Sequence, residues 1–332
     1  MRGRERGSLT SLMQGVPATM AAADLVDLSG LMDDAKCFAL VRQRRWPEGV
    51  RCPGCGSDAV IRDGHDDAQP DRQRYRCKAC AGRFDDLTGT VLAGRHQPLR
   101  VWVLCLYFMG LNLSNRQIAL ELGLSPSDVQ AMTEQLRQGL VATAPDVALA
   151  GEVEIDEVCG GGPQGPAGGG GQKGRLGRRR RLEGASGRGT AAKDKPPVLG
   201  LIQRGGQVIL RMLSDVRQRT IEPVITGAVA AGSLVHTDEY AIYAHLPAWG
   251  YRHKTVCYGR GEYARDEDGD GFCEVHVNTI EGFWSLLRSW LRPHRGISQD
   301  KLPLYLGFFQ FVHNARRRGK ALLGALVAAL VA

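Results

Sequence analysis

Three carboxylates and one amide in this 332-residue sequence occupy positions that could form a divalent-metal site for phosphodiester chemistry. Asp156 lies in the strand-like segment Glu152–Val158, Asp238 closes a second apolar segment, and Asn278 with Glu281 opens a helical one. Oxygen ligands are the ones that Mg²⁺ takes in proteins, and side chains from two strands and a helix can converge on one site. The pattern therefore favours a nuclease or a strand-transfer enzyme.

Each of these positions also has a structural interpretation. Asp156 could end a strand, Asp238 could be the N-cap of a short helix that follows it, and Asn278 with Glu281 fits a capping box at a helix start. Taken singly, these interpretations are reasonable. Together they leave unexplained why two strands end in carboxylates and the closing helix begins with Asn and Glu, whereas a metal site explains both.

The charges of the candidate ligands predict the cofactor. Glu152, Glu154 and Asp156 alternate along one strand and therefore share one of its faces. Carboxylates held within a few ångströms repel one another, and divalent cations relieve that repulsion. Two ions about 3.5–4 Å apart would activate a water or a DNA 3′-hydroxyl and stabilise the leaving oxygen. We therefore expect catalytic Mg²⁺, with Mn²⁺ as an alternative.

Three arginines follow the last candidate ligand. Arg288 comes seven residues after Glu281, so it lies on the same helix face about two turns further along. Arg288, Arg292 and Arg295 could contact the DNA backbone, or they could be solvated surface residues. The sequence leaves both interpretations open.

Two C-x-x-C units predict a structural zinc site. Cys52 and Cys55 are separated by 21 residues from Cys77 and Cys80, and this spacing is typical of the two knuckles of a zinc ribbon. The alternative is four unrelated buried thiols, which the repeated spacing and the polar, glycine-bearing surroundings disfavour. Four protein ligands leave no open position, so we expect Zn²⁺ to stabilise the fold without taking part in catalysis.

Composition along the chain predicts four regions. Residues 1–30 indicate a flexible N-terminus, residues 31–95 a helix plus the zinc ribbon, residues 96–145 a helical DNA-binding region, and residues 150–320 an α/β catalytic domain with room for five strands. Within the last region, residues 160–197 are rich in Gly and Arg and lack apolar periodicity. Such a segment cannot bury a core, so a disordered insertion is predicted.

The helical region has a helix-turn-helix pattern. Ser114 can cap a first helix, Gly123 supplies a turn, and Ser125 or Ser127 can cap a second helix. In such motifs the second helix contacts DNA. Any helical hairpin could show the same pattern, however, and Arg137 is the only basic residue of the second helix.

The net charge of +8 is a local property, because residues 172–195 hold nine Lys or Arg against two acids. It gives only moderate support for a polyanionic partner. The N-terminus lacks a signal peptide's apolar core, and the apolar run Ala321–Ala332 is shorter than the ~20 residues of a membrane span. There is also no Walker phosphate loop. We expect a cytoplasmic protein that needs no membrane and no nucleotide cofactor.

Five motifs make the chain resemble the ISXO-like family of bacterial insertion-sequence transposases. They are Arg45–Ser57, Tyr75–Cys80, Glu154–Val158, Val235–Tyr240 and His276–Leu287. The resemblance runs from about Asp33 to Gly324. It implies an RNase H-like mixed sheet with flanking helices, preceded by a small zinc ribbon and a helix-turn-helix-like region. It also implies a DDE-type enzyme that cuts element ends and joins their 3′-hydroxyls to target DNA, with Mg²⁺ as cofactor.

The same resemblance implies the roles of individual residues. Asp156 and Asp238 become the first two Mg²⁺ ligands, and the third is Glu281 or Asn278, because the family commonly has Asn at the latter position. Arg288 stands where family members tend to have Lys, which keeps the charge and changes its geometry. The implied partners are double-stranded DNA, as terminal inverted repeats and as target, and further copies of the chain in a homo-oligomer on DNA.

Two other classes of function remain as alternatives. A host RNase H-like nuclease would use the same carboxylates, but it would not need the zinc ribbon and the helix-turn-helix for end recognition. A zinc-ribbon DNA-binding regulator or an inactive domesticated relative would not need the carboxylates. Inverted repeats flanking the gene would favour the transposase, and an isolated gene in a regulatory operon would favour the regulator.

Overall fold

The computed structural model describes residues 33–94, 96–159, 196–316 and 319–331. The predicted flexible segment 1–30 lies outside the described residues, as does the predicted insertion 160–197 except for its last two positions. Within the described ranges, none of the helices combines the length and the apolarity that crossing a membrane requires.

The N-terminal region is a helix followed by a three-stranded antiparallel ribbon. Helix α1 spans Asp34–Arg45, and the strands are β1 (Val60–His65), β2 (Gln73–Cys77) and β3 (Arg83–Asp85), in the order β1-β2-β3. The ribbon's small core contains Tyr75 and Phe84, whose rings stack at 5.3 Å. Buried Asp86 joins the ribbon to α1 by accepting a 2.9 Å bond from Arg42 Nε.

Three helices follow, and the caps predicted for two of them are present. They are α2 (Leu99–Gly110), α3 (Asn115–Leu122) and α4 (Pro126–Thr143). Ser114 caps α3, where it forms a capping box with Gln117, and Ser125 caps α4. Gly123 ends α3 at φ +63°, a left-handed conformation that glycine adopts without a Cβ penalty.

The five-stranded mixed sheet confirms the predicted α/β class. Its strands are β4 (Glu152–Cys159), β5 (Pro197–Gln203), β6 (Val208–Met212), β7 (Leu234–Asp238) and β8 (Arg252–Val256), in the order β6-β5-β4-β7-β8. β4, β5 and β6 pair antiparallel, and β7 and β8 add in parallel to β4. This arrangement agrees with the RNase H-like fold.

Helices cover both faces of this sheet. Helix α5 (Gln218–Ala228) packs on one face through Ile221 and Ile225, and helix α6 (Asn278–Leu291) packs on the other through Ile280, Phe283 and Trp284. A short hairpin, β9 (Ala264–Arg265) with β10 (Val275–His276), leads into α6. In place of the short helix predicted after Asp238, the structure has two 3₁₀ turns, Ala241–Tyr243 and Leu246–Trp249.

The C-terminal helices return to the N-terminal half of the chain. α7 (Leu302–Asn314) lies between the sheet and α4, and α8 (Lys320–Val331) packs on α1, α2 and α4. Helix α8 covers most of the apolar run at 321–332, where no helix was predicted. Because α8 is apolar over most of its circumference, it is stable only where other helices surround it.

Candidate active site

The four cysteine thiols come together as a tetrahedral metal site requires. Cys52 Sγ lies 3.7 Å from Cys80 Sγ, Cys55 Sγ lies 3.6 Å from Cys77 Sγ, and all four sulfurs lie within 4.8 Å of one another. Zn–S bonds of about 2.3 Å in a tetrahedron separate the sulfurs by about 3.8 Å. The cluster therefore fits Zn²⁺ with four protein ligands.

Strand register brings the two candidate aspartates side by side. β4 and β7 pair in parallel with Glu152 opposite Leu234 and Glu154 opposite His236. The same register, continued by two residues, sets Asp156 beside Asp238, and neighbouring strands lie about 4.8 Å apart. Both aspartates are half-buried. Two carboxylates from sequence positions 82 apart therefore share one edge of the sheet.

Tyr258, which is not among the predicted site residues, contacts one of the candidate ligands. The Tyr258 hydroxyl donates a 2.7 Å hydrogen bond to Glu281 Oε1. Burial, this bond and the negative charges of Glu281, Asp156 and Asp238 together raise the pKa of Tyr258 above its usual value. The three carboxylates therefore all contribute to the electrostatic environment of this hydroxyl group, and Glu281 is the one that contacts it.

The loop that carries Tyr258 is held by the residue after Asp238. The Glu239 carboxylate accepts 3.0 Å bonds from the backbone N–H groups of Tyr258 and Gly259. Because β7 and β8 run in parallel, the residues that follow both strands lie at the same edge of the sheet. The topology therefore places Tyr258 beside Asp238.

Helix α6 is positioned by direct contacts with β4. Trp284 Nε1 donates a 2.8 Å hydrogen bond to Asp156 Oδ2, and its ring lies over Gly200, which pairs with Asp156 on the neighbouring strand. A Cβ at Gly200 would lie 2.5 Å from Trp284 Cη2, so the close approach requires glycine. The indole fixes the distance between the helix that carries Glu281 and the strand that carries Asp156.

We expect Gly200→Ala to weaken this contact. The added methyl group must displace the Trp284 ring, and overpacking of this kind typically costs about 1–3 kcal/mol of folding free energy. Thermal denaturation followed by tryptophan fluorescence measures the loss. Gly227→Ala in α5, where a Cβ meets nothing within 4 Å, is the matched control and should be neutral or slightly stabilising. Equal melting temperatures for the two variants would contradict this role of Gly200.

Glu154 is a structural residue, although it shares a face with Asp156. It is fully buried, and it accepts hydrogen bonds from Arg204 Nε (2.8 Å), Thr279 Oγ1 (2.8 Å) and the backbone N–H of Ile280 (3.0 Å). Its charge therefore compensates both Arg204 and the positive end of the α6 dipole. The carboxylate caps α6 from the sheet.

The capping-box interpretation of Asn278 and Glu281 is wrong. The N-cap of α6 is Val277 and has no side-chain bond, since Glu154 supplies the acceptors that a capping side chain would offer. Asn278 is the first helical residue, and its N–H donates a 3.3 Å bond to His276 Nδ1. Both Asn278 and Glu281 are exposed at the active-site end of α6.

Asp238 is not a helix N-cap either. The 3₁₀ turn that follows begins after Tyr240, but Asp238 Oδ1 does accept a 3.0 Å bond from the Tyr240 N–H. Beneath the aspartates, His236 is buried, and desolvation together with the Arg204 charge lowers its pKa to about 4. His236 is therefore neutral near pH 7 and adds no positive charge to the site.

The predicted DNA-contacting arginines extend from the same helix face as the candidate ligands. A single exposed stripe of α6 runs through Asn278, Glu281, Ser285, Arg288 and Arg292, at helical spacings of three and four. Arg295 is exposed just beyond the helix. Acidic groups thus occupy one end of the stripe and basic groups the other.

Helix α4 is the second helix of the predicted helix-turn-helix, and its only basic side chain is buried in the core. Arg137 is 2% exposed, and its guanidinium lies 3.9 Å from the Tyr305 ring centroid. Desolvation lowers its pKa. DNA contact by α4 therefore cannot depend on Arg137.

A second acidic cluster lies in the turn between β9 and β10. Carboxylate oxygens of Asp266, Asp268 and Glu274 lie within 4.8 Å of one another. Asp266 accepts bonds from the N–H groups of Gly269 and Gly271, and Glu274 accepts one from Glu267. The acidic side chains of this cluster therefore stabilise the turn through hydrogen bonds from its backbone.

Comparisons with known proteins agree with this geometry. Residues 148–314 match the model of the ISXO2-like transposase domain, and residues 32–83 match that of the transposase zinc-ribbon domain. A protein of Halobacterium salinarum, described as an uncharacterized protein in transposable element ISH50, is 34% identical over 313 residues, which are 91% of this chain and 99% of that protein. The first match spans the sheet, α6 and α7, and the second spans α1 and the ribbon. The chain therefore belongs to the ISXO2-like family of insertion-sequence transposases.

Proposed function

We propose that this protein is a DNA transposase that hydrolyses the phosphodiester at the ends of its element and joins the exposed 3′-hydroxyl to target DNA. The observation that carries the proposal is the placement of Asp156 and Asp238 at the same end of neighbouring strands, with Glu281 in the first turn of the helix that Trp284 ties to Asp156. Three carboxylates from two strands and one helix repel one another unless cations lie between them. The site therefore fits a cofactor of high positive charge and oxygen preference.

Asp156, Asp238 and Glu281 would hold divalent cations, Mg²⁺ first and Mn²⁺ as an alternative. Bound there, the cations would make an oxygen nucleophile from water or a 3′-hydroxyl and stabilise the departing oxygen. The protein's own contribution is rigidity. Trp284 fixes Asp156, and Glu239 fixes the loop that carries Tyr258.

Glu281 is our choice for the third ligand, ahead of Asn278. Its carboxylate accepts the hydrogen bond from Tyr258, and an anionic oxygen binds Mg²⁺ more strongly than a neutral amide does. Asn278 lies one turn earlier on the same exposed stripe, where its amide would face the substrate.

Double-stranded DNA, as terminal inverted repeat and as target, is the proposed substrate. The carboxylates repel DNA phosphates, whereas Arg288, Arg292 and Arg295, which lie further along α6 and just beyond it, attract them. None of these arginines forms an ion pair within the described ranges, so their charges remain available. Because both ends of an element must be cut and joined together, we further propose that the chain acts as a homo-oligomer on DNA.

The test of this function is an assay with labelled element ends, a supercoiled target plasmid and Mg²⁺. A transposase nicks at the terminal repeat and transfers the labelled strand to the plasmid. A host RNase H-like nuclease would cut without end preference or transfer, and a DNA-binding regulator would shift the fragment without cutting it. Either of these results would overturn the proposal.

We expect Tyr258→Phe to weaken cation binding about 10- to 100-fold, as is typical when a hydrogen-bonding partner of a metal ligand is removed. The variant keeps the ring and loses only the hydroxyl that orients Glu281. Mn²⁺ titration followed by electron paramagnetic resonance measures the affinity directly. Tyr107→Phe in α2, where the ring packs against the core of the helical region, is the control for loss of a tyrosine hydroxyl. Unchanged Mn²⁺ affinity would show that Tyr258 does not position a metal ligand.

A further inference from the structure

Two exposed aromatic rings lie in the segment between β8 and α6, which also contains Tyr258. Of the large apolar side chains that are exposed in the described residues, two are aromatic, Tyr263 at 67% and Phe272 at 65%. Phe272 lies in the turn between β9 and β10, and Tyr263 directly precedes β9. An exposed large ring leaves apolar surface in water, so a pair of them next to a catalytic site indicates a ligand-contacting surface.

Tyr263 is the ring that reaches the site. It directly precedes β9, whose Ala264 pairs with His276, two residues before α6 begins at Asn278. Its ring centroid lies 5.4 Å from that of Tyr258, whose hydroxyl bonds to Glu281. One side of the Tyr263 ring thus packs near Tyr258, and much of the rest faces solvent, one ring away from the carboxylates.

The charge around Tyr263 indicates which part of a nucleic acid it could contact. The turn that follows carries Asp266, Asp268 and Asp270, which form no ion pair within the described residues, whereas Glu262 and Glu267 are paired with Arg265 and Lys254. Phosphate groups are repelled from such surroundings. An uncharged flat surface is not, and a nucleobase offers one to an aromatic ring.

Bases inside a duplex are covered by their neighbours on both faces. A base can stack on a protein ring only when it is unpaired or turned out of the helix, which costs least where pairing is weak. The position next to the cleaved phosphate is the one that lies within a ring's width of the carboxylates. The ligand for Tyr263 is therefore a single base at that position.

We propose that the exposed face of Tyr263 is a stacking subsite for one unpaired nucleobase adjacent to the scissile phosphate. This inference rests on the proposed transposase function and adds a specific contact to it. Tyr263 would hold the strand in place after the base leaves the duplex, with the aromatic ring of Tyr258 supporting it from behind. The ring is needed for this role and the Tyr263 hydroxyl is not.

The test compares duplex element ends that carry, next to the mapped cleavage position, a paired base, an unpaired base or an abasic site. Affinities are measured by fluorescence anisotropy with Ca²⁺ in place of Mg²⁺. We expect the wild type to bind the unpaired base about 5- to 150-fold more tightly than the abasic end, as a stacked base implies. Tyr263→Phe should keep this preference and Tyr263→Ala should lose it. Phe272→Ala, which removes the other exposed ring, should keep it.

Each outcome decides the proposal. Equal affinity of the wild type for unpaired and abasic ends, or retention of the preference by Tyr263→Ala, would overturn the stacking subsite while leaving end cleavage in place. A change in self-association of Tyr263→Ala without a change in base preference would assign the ring to a protein interface instead. If the wild type neither binds nor cleaves element ends, the proposed function fails and the subsite fails with it.

Discussion

Asp156→Asn should abolish cleavage of element ends while leaving DNA binding intact. The substitution keeps the size of the side chain and an oxygen that can accept the hydrogen bond from Trp284 Nε1. It removes the negative charge of one of the proposed metal ligands. Metal assistance contributes several kcal/mol to such reactions, which corresponds to a loss of at least about 10³-fold in rate.

The same variant should respond differently to metal in a stability measurement. The substitution removes one of three neighbouring negative charges and so reduces their repulsion. Without Mg²⁺, the melting temperature of Asp156→Asn should therefore equal or exceed that of the wild type. With Mg²⁺ the wild type should gain stability from ligand binding, and the variant should gain less. Differential scanning fluorimetry, run once with Mg²⁺ and once with an excess of chelator, measures both effects.

Asp146→Asn is the matched control, because Asp146 is an exposed aspartate in the segment between α4 and β4. It should leave cleavage, DNA affinity and the Mg²⁺ response unchanged. Full cleavage by Asp156→Asn would remove Asp156 from the catalytic site. Loss of DNA binding together with cleavage would point instead to a disturbed fold or to a role in substrate binding.

Cys77→Ser should have the second large effect, on folding. Structural zinc contributes on the order of 10 kcal/mol to domains of this size, and the ribbon has only a small core around Tyr75 and Phe84 to replace it. We expect the ribbon to unfold while the five-stranded sheet keeps its structure. Zinc content measured with a chromogenic chelator should fall, and limited proteolysis should cut between α1 and α2.

Cys273→Ser is the control for this experiment, since Cys273 is exposed in the β9–β10 hairpin and lies outside the four-cysteine cluster. It should retain zinc and resist proteolysis as the wild type does. A folded, protease-resistant ribbon in Cys77→Ser would show that the four thiols do not hold a structural metal. Unfolding of the ribbon should also expose Asp86, which α1 engages through Arg42.

Features that depend on neighbours in the sequence were predicted well. The C-x-x-C units, the Ser114 and Ser125 caps and the Gly123 turn each involve a few consecutive residues, and they form in the structure as expected. The five strands were predicted because each is a short apolar segment bounded by turn residues. Their order was not worked out from the pattern, since local periodicity contains no information about which strands pair.

The capping box at Asn278 shows how a local rule can be overruled. Asn followed three residues later by Glu fits the pattern, yet the buried carboxylate of Glu154 reaches the helix start from a strand more than 120 residues away. Because Glu154 provides the acceptor, the side chains of Asn278 and Glu281 do not cap the helix and are exposed. Glu281 then bonds to Tyr258.

By itself, the sequence determined which residue types were available: four thiols at ribbon spacing, two aspartates on separate strands, and an Asn and a Glu at a helix start. Only the tertiary structure decided which of them share a site. The parallel register of β4 and β7 sets Asp156 beside Asp238, Gly200 leaves room for Trp284, and the β8 loop brings in Tyr258. Such contacts join residues far apart in the chain, where packing and hydrogen bonding, and not local periodicity, fix the distances.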